Sequence, residues 1–212
     1  SAFAMKYTKA KKKVLSIHGV YSEQVDALHS KTISTAAKIT ETKVLESADK
    51  LTTDSKIVKK MYKEKSNVDF EFFYAPLDIK KFEKLKNTEK NEKQIIFIGR
   101  DSYEKGIDIL KEIEPKINGK IIFCTDMKWE DVMENLKAST ILVIPSRMES
   151  IPQVIKEAFY LKVPIIATNV GGIPELITDN VTGILVPPNN PEILLKNINE
   201  LLVDNEKAKR LS

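Results

Sequence analysis

From residue 94 onward, short apolar runs alternate with amphipathic segments. QIIFIG (94–99) leads to KGIDILKEIEPKI (105–117), KIIFCT (120–125) to WEDVMENLKAS (129–139), and TILVIPS (140–146) to PQVIKEAFYLK (152–162). PIIAT (164–168) then leads to IPELIT (173–178), and GILV (183–186) to NPEILLKNINELLVD (190–204). Strands that are apolar throughout belong in a parallel sheet buried on both faces, with the intervening helices as cover. Right-handed crossovers make such a sheet doubly wound. The expected fold class is therefore α/β, and ligands of such sheets sit beyond the carboxyl ends of the strands. Those ends carry GRDSYEKG, CTD, PSRMES and TNVGG.

The first part of the chain is less regular. KVLSIHGVY (13–21) predicts a strand running into a loop, residues 24–50 one or two helices, and KLTTDSKIVKKMYKEK (50–65) a strand, an Asp54/Ser55 cap and a basic helix. VDFEFFYAP (68–76) predicts another strand, and the charged stretch 77–93 a linker. Two domains are expected, 1–90 and 91–212. SAFA, ahead of Met5, is left out of the fold reasoning.

Composition narrows the chemistry. Of 212 residues, 42% are hydrophobic and 30% charged, which describes a globular chain. No apolar run approaches the roughly 18–20 residues that cross a bilayer. One cysteine, Cys124, and two histidines, His18 and His29, exclude a disulfide framework within the chain and make a zinc site an unattractive expectation. A reducing, cytoplasmic setting is expected. Residues 1–94 hold 20 Lys/Arg against 13 Asp/Glu, and residues 95–212 hold 14 against 17. The basic half fits a solvated lysine surface or peripheral contact with an anionic membrane. Nucleic acid is not expected as a partner, because no aromatic residues interleave with the lysines.

Two constellations stand at the strand ends. Gly99 closes the first strand of the regular series, with Arg100 at the strand end and Lys105 at the expected start of the next helix. Two cations and a helix N-terminus suit a diphosphate; surface cations are the plainer alternative. In PSRMESIPQVIKEAF, Glu149 and Glu157 lie eight positions apart across an expected strand-to-helix turn. Ser150 and Gln153 have the spacing of a capping box, and Pro152 suits the first helical turn. Carboxylates accept paired hydrogen bonds from vicinal hydroxyls. Two of them astride a phosphate-binding helix tip fit a sugar nucleotide. A glycosidase acid/base pair, or two unrelated structural glutamates, are the alternatives.

GRDSYEKGIDIL, PSRMESIPQVIKEAF, PIIATNVGGIPELI and VTGILVPP together resemble the donor-binding domain of retaining GT-B glycosyltransferases of family 4. Upstream, SIHG, ESADKLTTDSKIVKKM and YAPLDIKKF resemble the last part of that family's N-terminal domain. The resemblance implies a Rossmann-like donor domain, an incomplete acceptor-side domain, and transfer of a sugar from a UDP- or GDP-sugar with retention, without a metal or other cofactor. It implies that Arg100 and Lys105 bind the diphosphate and that Glu157 holds the ribose. It also implies that Glu149 contacts the transferred sugar, with Gly99 and the backbone of Ser150, Ile151, Pro152, Gln153 and Val154 nearby. His18 matches the family histidine that reaches the donor sugar from the N-terminal domain. His29 and Cys124 receive no role.

Three departures accompany the match. Pro152 stands where many relatives have Gly, one β-α unit is missing between KIIFCTD and WEDVMENL, and the N-terminal domain is represented only by its last part. The acceptor, a lipid-linked or glycan molecule, is left unspecified. A partner or second copy that supplies the missing domain is a further expectation. The competing functions are a non-catalytic sugar-nucleotide-binding module and a GT-B-like epimerase.

Overall fold

The computed structural model describes residues 9–19 and 31–212; His29 lies outside them. The contacts divide the chain into two units that meet between Ala75 and Pro76.

In the first unit, β1 (Val14–Ser16), β2 (Lys50–Thr53) and β3 (Glu71–Phe72) form a parallel sheet in the order β1-β2-β3. Helix α1 (Lys31–Glu46) precedes β2, and α2 (Lys56–Ser66) follows it. Leu45, Val58, Tyr62 and Phe70 form its core. The expected cap is present: the Val58 amide donates to Ser55 Oγ at 3.2 Å. Satisfying an amide that the helix cannot pair is what favours serine there.

The second unit begins with a short helix, α3 (Ile79–Phe82), within the stretch expected to be a linker. Its last residue, Phe82, is buried among the side chains of the second unit. Residues 76–90, expected to end the first domain, therefore pack with the second unit. The regular series follows: β4 (Gln94–Ile98), α4 (Ile107–Ile113), β5 (Lys120–Cys124), α5 (Trp129–Ala138), β6 (Ile141–Ile144) and α6 (Gln153–Tyr160). It ends with β7 (Ile165–Thr168), α7 (Ile173–Leu176), β8 (Ile184–Val186), α8 (Pro191–Val203) and α9 (Asn205–Leu211).

The five strands are parallel, in the order β5-β4-β6-β7-β8. Side chains alternate between the two faces of a strand. Accordingly Ile95, Phe97, Ile141 and Val143 join one core with Leu110 of α4 and Ile198 and Leu201 of α8. Ile96, Leu142 and Ile144 join the other, with Leu136 of α5, Ile155 and Ala158 of α6 and Ile173 of α7. This is the doubly wound sheet that the continuous apolar runs require. From β4 the chain steps outward to β5, then returns past β4 to build β6, β7 and β8 on the other side. The reversal leaves a crevice above the carboxyl ends of β4 and β6, the usual ligand position in open α/β sheets.

Candidate functional site

The loops after β4, β6 and β7 meet at that crevice, and two glycines allow them to do so. Gly106 has φ +67°, and a Cβ on it would lie 2.1 Å from the Pro145 carbonyl oxygen. Gly171 has φ +52°, and a Cβ there would lie 1.8 Å from the Glu149 carbonyl oxygen. Both need a left-handed backbone and the absence of a side chain. The Gly172 amide then donates to the Ser150 carbonyl at 2.8 Å, tying the β7 loop to the β6 loop.

Arg147 ties the β6 loop to its other neighbours. Its guanidinium makes two hydrogen bonds of 2.7 Å to the Asp108 carboxylate, and others to the Tyr103 carbonyl and Asn189. It also stacks 3.9 Å above the Tyr103 ring. The hydrogen bonds and charge of Arg147 hold the Asp108 carboxyl below the usual carboxylate range. With its donors engaged in this way, Arg147 is a structural cation.

Lys105 ends a short 3-10 turn (Tyr103–Lys105) instead of opening α4, where the sequence had put it; left-handed Gly106 stands between the two. This turn aims Lys105 across the crevice, where its Nζ lies 2.6 Å from Glu149 Oε1. Ser146 Oγ donates to the same oxygen at 2.8 Å. No hydrogen bond from the described residues reaches Oε2. Arg100 is largely exposed and pairs at 3.0 Å with Glu104 one turn along. Gly99 lies at the end of β4, its amide donating to the Cys124 carbonyl at 3.2 Å.

The capping box expected at Ser150 does not form. Helix α6 starts at Gln153, with Pro152 as its N-cap residue and no side-chain cap. The extended backbone of Pro152 (φ −66°, ψ 117°) carries the chain into the helix, while the Ser150 carbonyl is taken by Gly172. Ser150 Oγ is left buried without a partner. An unpaired buried hydroxyl is destabilising, and in native proteins calls for an explanation. Ile151 and Pro152 are buried in the turn, and Gln153 and Val154 form the first residues of α6.

Glu157 lies in the second turn of α6. The indole Nε1–H of Trp129, the first residue of α5, donates to its Oε1 at 2.9 Å. Burial pushes the carboxyl pKa up, while the indole hydrogen bond and the charge of Lys81 oppose the rise. Again no hydrogen bond from the described residues reaches Oε2. Sequence reasoning missed Trp129, although a lone tryptophan just beyond a strand's carboxyl end was a usable signal. His18, in the first unit, has Nδ1 3.0 Å from the buried Asp54 carboxylate and Nε2 3.2 Å from Ser16 Oγ. Among the described residues, no cluster of His, Cys, Asp and Glu is arranged to hold a metal ion.

Residues 113–212 match the glycosyl transferases group 1 family. Over 99% of its length, the chain superposes on 63% of sucrose-phosphate synthase from Thermosynechococcus elongatus, with a TM-score of 0.80 and 18% identity. The chain has the GT-B glycosyltransferase fold. Another GT-B neighbour, Anabaena HepE solved with UDP-glucose, superposes with a TM-score of 0.72 at 17% identity over 93% of this chain and 64% of that one. An uncharacterised glycosyltransferase of Methanocaldococcus jannaschii is 27% identical over 88% of this chain and 57% of that protein. The chain thus spans little more than half the length of that relative.

Proposed function

We propose that the crevice above β4 and β6 binds a nucleotide-sugar, UDP- or GDP-linked, and that the protein transfers its sugar with retention and without a metal ion. The observation that carries this reading is the matched state of the two glutamates. Each has one oxygen held by a donor from the protein, Lys105 and Ser146 on Glu149 and Trp129 on Glu157. The other oxygen of each remains to accept a hydroxyl. Two oriented acceptors on either side of a helix N-terminus suit a molecule with a sugar at each end and a diphosphate between. The unpartnered Ser150 hydroxyl in the same turn adds support, and so does the binding of UDP-glucose by Anabaena HepE.

In this reading Glu157 holds the ribose and Glu149 the transferred sugar. Arg100 and Lys105 neutralise the diphosphate, with Gly99 and the turn from Ser150 to Val154 lying against it. The bond from the anomeric carbon to the phosphate oxygen breaks as the acceptor oxygen attacks from the same face. The acceptor proton passes to the departing diphosphate. Charge builds on that leaving group, so cations and helix amides fixed beside it lower the barrier. His18 is assigned to the transferred sugar by the family resemblance alone. A lipid-linked or glycan acceptor, and a partner or second copy completing the acceptor side, belong to the same proposal.

A thermal-shift screen with UDP-, GDP- and ADP-sugars tests the donor, since a ligand of the native state raises the melting temperature. By titration calorimetry, Glu157→Ala and Arg100→Ala should each weaken the selected donor about tenfold or more, the scale of a hydrogen bond to a charged group. Parent-like binding by both variants would sink the site assignment. Retention is checked by the anomeric configuration of the product in an NMR spectrum.

A further inference from the structure

Trp129, the chain's only tryptophan, is held from several sides. Phe82 meets it edge-on, with ring centroids 5.1 Å apart and planes at 82°. Phe82 in turn lies 4.6 Å from the Tyr160 ring. The Lys81 ammonium sits over the indole, 5.8 Å from its centroid. These contacts restrain the indole while its N–H points at Glu157 Oε1. Lys81 and Phe82 come from α3, Trp129 from the start of α5, and Tyr160 and Glu157 from α6. Three separate stretches of chain thus fix one carboxylate oxygen.

The chemistry of the donor matters. An indole N–H donates, never accepts, and carries no charge. It can lock the orientation of a carboxylate without neutralising it, whereas a lysine in the same place would satisfy the charge as well. Glu149 shows the contrast, since its partner is the Lys105 ammonium. Among the described residues no ion pair reaches Glu157, and Lys81 is the charged side chain that acts on it.

We propose that Trp129 is a positioning residue for the donor: its indole N–H aims Glu157 at the ribose diol, and Lys81 and Phe82 of α3 hold Trp129 in place. This rests on the reading of Glu157 as the ribose contact. It makes the stretch ahead of β4 part of the donor site.

The test uses the full chain with UDP-glucose, or GDP-mannose where the screen selects a GDP-sugar. Trp129→Phe keeps an aromatic ring beside Phe82 and Lys81 and removes the N–H along with part of the indole volume. It should weaken binding about tenfold, and Trp129→Phe added to Glu157→Ala should weaken it no further, since an orienting donor has nothing left to orient. The pH profile supplies a second readout. Binding requires ionised Glu157, so it falls away as pH drops through the pKa of that carboxyl. Losing the indole donor raises this pKa further, and the acid limb should move to higher pH in Trp129→Phe. Parent-like binding and an unmoved acid limb in Trp129→Phe, with Glu157→Ala weakened, overturn the positioning role and leave the donor reading standing. Parent-like binding by Glu157→Ala overturns both. Should Trp129→Phe fail to fold, Lys81→Ala, at an exposed position, carries the test: the acid limb should again move up, and an unchanged profile overturns the proposal.

Discussion

Gly171 has no side chain because the Glu149 carbonyl occupies the place one would take. A left-handed non-glycine residue costs roughly 1–2 kcal/mol, and the contact with a backbone oxygen adds to that. Gly171→Ala should therefore destabilise the chain by about 2–4 kcal/mol in urea unfolding, among the larger effects of a single substitution. Because the displaced atom is the carbonyl of Glu149, which the proposed function sets against the transferred sugar, nucleotide-sugar affinity should fall with it. A loss under about 0.5 kcal/mol would mean that the two loops are not locked as described. The placement of Glu149, Glu157, Arg100 and Lys105 about the ends of β4 and β6 was legible in the sequence because their spacing is local. What their carboxylates and cations touch was not. Lys105 meets Glu149 across 44 positions and Trp129 meets Glu157 across 28, and only the strand order brings such pairs together.

At the level of elements, the strands β4 to β8 and their helices were readable because each is an unbroken apolar run or a periodic stripe. The readings that failed rested on weaker signals. The stretch 77–93 looks like a linker because its charge outweighs its apolar content, yet Phe82 anchors it through rings at positions 129 and 160. Ser150 and Gln153 have capping-box spacing, but the extended Pro152 delays the helix until Gln153. The anchor has a measurable cost. Phe82→Ala should lower the stability of the second unit by about 3 kcal/mol, the usual loss for an aromatic side chain removed from a core. A true linker residue would change the urea midpoint by almost nothing, so the same titration separates the two descriptions.

Taken as a whole, the molecule joins two α/β units whose charges differ in character, residues 1–75 holding 14 Lys/Arg against 9 Asp/Glu and residues 76–212 holding 20 against 21. Among the described residues, no helix is long and apolar enough to cross a membrane. The sequence announced the larger sheet, since it follows from the alternation of strands and helices. It did not announce where one unit stops, because that depends on which side packs residues 76–90. The crevice itself has a consequence for how a charged ligand arrives. At rest, Lys105 is paired with Glu149 and Arg100 with Glu104. The site thus carries its own counter-ions, and under the proposed function an incoming diphosphate exchanges places with carboxylates rather than falling into a positive field. Little long-range attraction is left for added salt to screen. Stopped-flow association of UDP-glucose, followed through Trp129 fluorescence, should show a rate constant nearly independent of ionic strength; a steep decline would mean that the two cations stand open in solution. Under the same proposal, both cations are matched before the donor arrives, and capture depends on rearranging their carboxylate partners more than on the field at a distance.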